Sequence, residues 1–145
     1  MSVLFNPVKI QDATESDLTA LAEMNRQLII DEGHSNPMNI SQLRARMQGW
    51  LATEYRAVII SSGDIDVGYA LWREEPEFIH VRQFFIGRQY RRKGLGRRAI
   101  SELTKTRWLG RNIRLEVLTE NSVGQAFWHA VGFKDYCMTL EYPNA

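Results

Sequence analysis

The sequence has one cysteine, Cys137, so an internal disulfide is impossible and a reducing compartment is expected. As a single cysteine in a β segment, it reads as a small buried apolar residue. Apolar runs near the roughly 20 residues that span a bilayer are missing. The N-terminus lacks the basic-then-apolar pattern of a secretion signal. The expectation is a soluble, cytoplasmic protein with no membrane partner. Charge of one sign is not in excess either: 18 basic and 17 acidic residues leave a net charge of +1. That balance speaks against a dedicated nucleic-acid binder. The three histidines, His34, His80 and His129, are scattered without metal-ligand spacing, and no metal site is expected. There is no Walker loop, which needs G-x-x-x-x-G-K-S/T, and no Rossmann glycine spacing. Repeats, linkers and low-complexity segments are also missing.

What is present fits one globular domain over residues 1–145, with 44% hydrophobic residues. A chain of this length buries about 68–70% of its unfolded surface and needs no covalent staples. Val8–Ile10 reads as a short strand. Thr14 opens a helix that Gly33 closes, with Leu18, Leu21, Ala22, Asn25 and Leu28 on its stripe. Residues 31–37 are turn-rich, and a second helix follows over Ser41–Thr53. Strands are expected at Tyr55–Ser62, Val67–Arg73 and Phe78–Ile86, separated by polar turns. A helix then runs from Gly94 to about Gly110. A strand at Ile113–Thr119, a helix at Asn121–Ala130 and a last strand at Tyr136–Tyr142 complete the order. This is an α/β (α+β) pattern: a mixed, mostly antiparallel sheet of about six to seven strands with helices on both faces.

The chain is organised around Val81–Ile100. Phe84, Phe85 and Ile86 end a strand at Gly87. A basic loop follows, Arg91-Arg92-Lys93-Gly94-Leu95-Gly96, and then a helix with Leu95, Ala99, Ile100 and Leu103 at helical spacing. Glycines at a helix start let a ligand approach the backbone. The free N–H groups of a first helical turn favour an anion. Arg91, Arg92, Lys93, Arg97 and Arg98 add formal charge there. These residues describe a phosphate or pyrophosphate site. A solvated helix start, contact with a nucleic-acid backbone and another type of nucleotide site are the competing readings.

Arg91-x-x-Gly94-x-Gly96, after an apolar strand and before a helix, resembles the acetyl-CoA-binding motif of the GNAT superfamily of N-acetyltransferases. A second block is similar to that family's pattern as well. It comprises Leu115-Glu116-Val117-x-x-x-Asn121, then Phe127-Trp128 and Gly132-Phe133. The element order also resembles the acyl-CoA N-acyltransferase fold over nearly the whole chain.

The resemblance implies acetyl-CoA as co-substrate and direct acetyl transfer to the primary amine of a small molecule or peptide. It assigns Phe84, Phe85 and Ile86 to the pantetheine arm. It assigns Arg91, Arg92, Lys93, Gly94, Leu95, Gly96 and Arg97 to the pyrophosphate. It places Asn121 and Trp128 beside the cofactor. Asn121 reads equally as a helix N-cap. Glu116 matches a glutamate that serves as base in relatives acetylating the N-terminus of a ribosomal protein; the other reading is a polar strand residue or an ion pair. The family's usual acid, a tyrosine on the last helix, is replaced by Trp128, whose indole only donates and is no acid near neutral pH. Tyr136, Tyr90 and His129 are the candidate substitutes, Tyr136 among them as catalytic residue. Asp31 and Glu32 lie where a cationic acceptor would approach, but a solvated helix end is the favoured reading. A non-catalytic acyl-CoA-binding module and a nucleic-acid-binding domain built on Arg91–Arg98 are the alternative functions. Monomer and homodimer are both compatible with the sequence.

Overall fold

Short polar turns at 63–64 and 75–77 leave no room for anything but hairpins, and the chain folds accordingly. The computed structural model describes residues 7–33 and 35–144. Its strands are β1 (Val8–Asp12), β2 (Tyr55–Ser62), β3 (Ile65–Glu74), β4 (Phe78–Ile86) and β5 (Asn112–Arg114). Its helices are α1 (Leu18–Asp31), α2 (Ile40–Leu51), α3 (Leu95–Lys105) and α4 (Ser122–Ala130). The strands form one sheet in sequence order. The first four pair antiparallel; α3 carries the chain back, so β5 joins β4 in parallel.

Alternation along the strands divides the core. Val58, Ile60, Trp72, Ile79 and Val81 pack against Leu95, Ala99 and Leu103 of α3. Ala57, Ile59, Tyr69, Leu71 and Phe85 face the other way, onto Leu18 and Leu21 of α1 and Met47 of α2. Helices therefore cover both faces. Trp72 and Trp108 are fully buried and meet edge to face at 5.6 Å. Helix starts follow their caps: the Thr14 N–H donates to Asp17 Oδ2 at 2.8 Å, and Asn39 Oδ1 accepts from the Gln42 N–H at 2.8 Å. The Asn39 cap starts α2 at Ile40, a residue before the expected Ser41. Helix α3 stops at Lys105, short of Gly110, because residues 106–110 form a turn.

The expected C-terminal half of the sheet is reduced. The β4–β5 ladder ends at His80 opposite Arg114, after which the two strands part. Leu115–Thr119 parts from the β4 edge and pairs with no other strand, and a segment without a ladder partner is not a strand. The expected last strand, Tyr136–Tyr142, has none either, so five strands stand among the described residues instead of six or seven. Tyr136, Met138, Leu140 and Tyr142 are exposed, and so is Cys137, which was expected to be buried.

Backbone packing between β3 and β4 is tight at one point. A Cβ on Gly68 would lie 2.0 Å from the Phe85 carbonyl oxygen. No rotamer change relieves a clash with backbone. Gly68→Ala is expected to destabilise the fold by about 3 kcal/mol, a fall in thermal midpoint of roughly 10 °C. Thermal unfolding checks this; an unchanged midpoint would mean that β4 shifts freely.

Candidate active site

The junction between β4 and α3 is built from two left-handed residues. Arg92 has φ 63° and Gly94 has φ 78°. Together they turn the chain sharply into α3, whose N-terminus has no side-chain cap. The backbone N–H groups of that first turn are left for a ligand. Gly94 is glycine because of its φ, since open space surrounds it. Gly96 is glycine for another reason: a Cβ there would sit 3.0 Å from the Phe127 ring. This close approach docks α4 on α3.

Charged side chains of the loop divide into two groups. Arg91 is a strut. Its Nε donates to the Ile86 carbonyl at 2.7 Å and its Nη2 pairs with Asp31 at 2.5 Å. Arg88 pairs with the same carboxylate at 2.9 Å. Asp31 is thus neutralised by two arginines, which removes it as an attractor for a cationic acceptor. Arg97 donates to the Ala130 carbonyl at 3.2 Å, closing the end of α4. Arg92 is exposed and Lys93 half-buried beside the turn, while Leu95 is buried in the core.

On α4, Asn121 is the N-cap, its Oδ1 accepting from the Gly124 N–H at 2.9 Å. Asn121→Ala is expected to cost about 1 kcal/mol of stability, measured by denaturant unfolding. Trp128 belongs to an aromatic group. Its ring centroid lies 5.4 Å from Phe84, 4.9 Å from Phe127 and 5.0 Å from Phe133. These rings fill the space between α4 and β4.

Beyond His80, β4 has β3 on one side and no strand on the other among the described residues. Its backbone groups along Val81–Ile86 form an open edge. A bulge sits in this stretch. Leu71 faces Gln83 and Trp72 faces Val81, so Arg82 is the extra residue. The bulge turns Arg82 and Gln83 to the α1–α2 side, where Gln83 Oε1 accepts from the Tyr69 hydroxyl at 2.8 Å. Across the gap, His80 Nε2 lies 2.7 Å from Glu116 Oε1. The Glu116 side chain is 75% exposed, the His80 side chain 22%. Tyr136 Oη accepts from Arg114 Nη2 at 2.9 Å, and the guanidinium also lies 4.2 Å from the Tyr136 ring.

The model of the acetyltransferase (GNAT) family matches residues 24–133. This chain belongs to the GNAT acetyltransferase family. Solved structures agree on the fold. A possible acetyltransferase from Clostridium difficile 630 superposes with a TM-score of 0.74 at 17% identity, covering 96% of this chain and 98% of that one. The aminoglycoside N-acetyltransferase AAC(6')-Iy, in complex with CoA, gives 0.76 at 14%, covering 96% and 95%. An acetyltransferase from Thermus thermophilus gives 0.73 at 19%, covering 88% and 87%. Comparison with curated proteins finds no match.

Within this GNAT fold the sequence-derived residues form two groups. Phe84–Ile86, Arg91–Arg97 and Trp128 gather where β4, α3 and the C-terminal half of α4 meet, while Asn121 caps the other end of α4. Glu116 and Tyr136 lie apart from them, beside β5. His80 was considered only as a metal ligand, yet it holds Glu116. No residue pattern marks this pair: it follows from the β4–β5 register, in which Glu116 lies two residues beyond His80's partner Arg114. Arg114 had no sequence signal. His129 pairs with Asp135 at 2.7 Å on the exposed side of α4, and His34 lies outside the described residues. No cluster of three potential metal ligands occurs among the described residues.

Proposed function

We propose that the protein is an acetyl-CoA-dependent N-acetyltransferase acting on a primary amine. The observation that carries this reading is the uncapped start of α3 behind two left-handed residues, at the end of an open β-strand edge. The first feature suits a pyrophosphate and the second suits the amide groups of a pantetheine arm. Bound acetyl-CoA supplies a thioester carbonyl as electrophile.

The chain's own residues then handle two protons. An amine is protonated at neutral pH and attacks only after losing a proton. Glu116 takes it: one carboxylate oxygen is held by His80, and the side chain is open to solvent. The backbone N–H of Phe84, which faces away from β3, polarises the carbonyl. We assign Tyr136 as the donor to the departing sulfur: its oxygen accepts from Arg114, which leaves its own hydrogen to be given once the C-terminal segment closes on the cofactor. A thiol with an ordinary pKa near 8.5 needs little such help. The N–C bond forms as the C–S bond breaks, and CoA leaves as the thiol.

A non-catalytic CoA-binding module is the second reading, favoured by Trp128 packed among Phe84, Phe127 and Phe133. Calorimetric titration with CoA, followed by thiol release from acetyl-CoA with a panel of primary amines, tests both. Binding with turnover is expected. Binding without turnover selects the module, and no binding removes both.

A further inference from the structure

On the α1–α2 face, beside the bulge, three arginines and two aromatic rings alternate. Arg46 lies 4.6 Å and Arg82 4.8 Å from the centre of the Trp50 ring. Arg82 also lies 5.9 Å from the Tyr55 ring, and Arg73 lies 5.4 Å from that same ring. Arg73 is neutralised by Glu75 at 2.6 Å and Glu54 at 3.6 Å. The other two are not. Arg46 Nη2 donates to Asn25 Oδ1 at 3.0 Å, and Arg82 Nη1 donates to Tyr55 Oη at 3.4 Å. Among the described residues neither has a carboxylate partner. Two like charges therefore share one indole ring, and burial together with the Arg82 charge holds Arg46 below the usual arginine pKa. Arg46 Nε and the adjacent Asn25 Nδ2 are buried without an acceptor.

The place of this stack matters. Arg82 shares a side of β4 with His80, two residues before it, the bulge brings Gln83 to that side as well, and His80 holds Glu116. Strand rise separates His80 and Arg82 by about 7 Å. The start of α3 lies past Ile86, at the far end of the open edge, so the stack is separate from the phosphate-suited turn. Carboxylates on this side are Glu54 and Glu75, both engaged by Arg73, Glu116, engaged by His80, and Glu32, whose charge reaches Tyr69.

We propose that Arg46 and Arg82, spaced by Trp50, bind an anionic group carried by the acceptor amine, a carboxylate or a phosphate. The inference rests on the acetyltransferase reading and names its substrate class. An anion supplies the missing countercharge for both guanidiniums, and guanidinium–oxyanion bonds are the strong, charge-assisted kind. The same charges repel polycationic acceptors, so diamines are disfavoured.

The test uses matched amines: L-lysine against cadaverine for the carboxylate, phosphoethanolamine against ethanolamine for the phosphate. Each is titrated calorimetrically into the protein saturated with CoA, and each is assayed for turnover with acetyl-CoA. The anionic member of at least one pair is expected to bind at least roughly tenfold tighter. Arg46→Gln and Arg82→Gln should each remove that preference by raising KM for the anionic amine, with KM for acetyl-CoA unchanged. The pair that shows the preference identifies the anion. Equal binding of both members, preference for the cationic member, or equal losses for both members in the variants would overturn the proposal while leaving the acetyltransferase reading intact. Failure to bind CoA would instead remove that reading, and the same titration without CoA still measures the anion preference of the stack.

Discussion

Gly94→Asp is expected to weaken acetyl-CoA binding about a hundredfold while shifting the thermal midpoint by only a few degrees. Gly94 is the residue before α3, with φ 78° and open space around it. Aspartate is among the few residues that tolerate left-handed backbone, and it is a favoured helix cap. The variant is therefore expected to fold. Its carboxylate would occupy the N–H groups of the first turn and set a negative charge at the pyrophosphate. At roughly 5 Å and an effective dielectric near 20, one such repulsion costs about 3 kcal/mol. Gly94→Asn caps the helix without the charge and separates the two effects; it is expected to lose no more than about tenfold. Calorimetry with CoA reads both variants. Equal affinities for wild type and Gly94→Asp would place the pyrophosphate elsewhere.

The second large effect concerns Glu116. Glu116→Gln should lower kcat about a hundredfold with little change in KM for acetyl-CoA, since positioned proton transfer contributes at least that much. His80→Ala should lower kcat roughly tenfold, because it frees the carboxylate from its 2.7 Å anchor without removing it. The order of the two effects is informative. A larger loss from His80→Ala would make the imidazole the base and Glu116 its orienting partner. Unchanged turnover in both variants would remove this pair from proton transfer.

Much of the fold is legible along the chain because it depends on local rules. Turn residues at 63–64 and 75–77 enforce hairpins, and alternation of Ala57 with Val58 and Ile59 with Ile60 marks a strand buried on both faces. The glycines before and within α3 were also visible, although their reasons differ. Gly94 answers a local φ, which a sequence pattern carries well. Gly96 answers the ring of Phe127, which is distant in sequence. The last strand illustrates the opposite case. Tyr136, Met138, Leu140 and Tyr142 alternate as a strand should, but a ladder also needs an edge, and β5 ends at Arg114.

The family, the order of most elements and the loop that meets α3 can all be read from the chain alone. Each of these is written in residues close together in the chain. Which side chains meet across elements depends on how those elements pack. That packing brought His80 to Glu116, fixed Arg91 and Arg88 on Asp31, and set Arg46 and Arg82 against one tryptophan. Those contacts depend on a bulge at Arg82 and on where β4 and β5 part, and such features arise from strand pairing rather than from any local pattern.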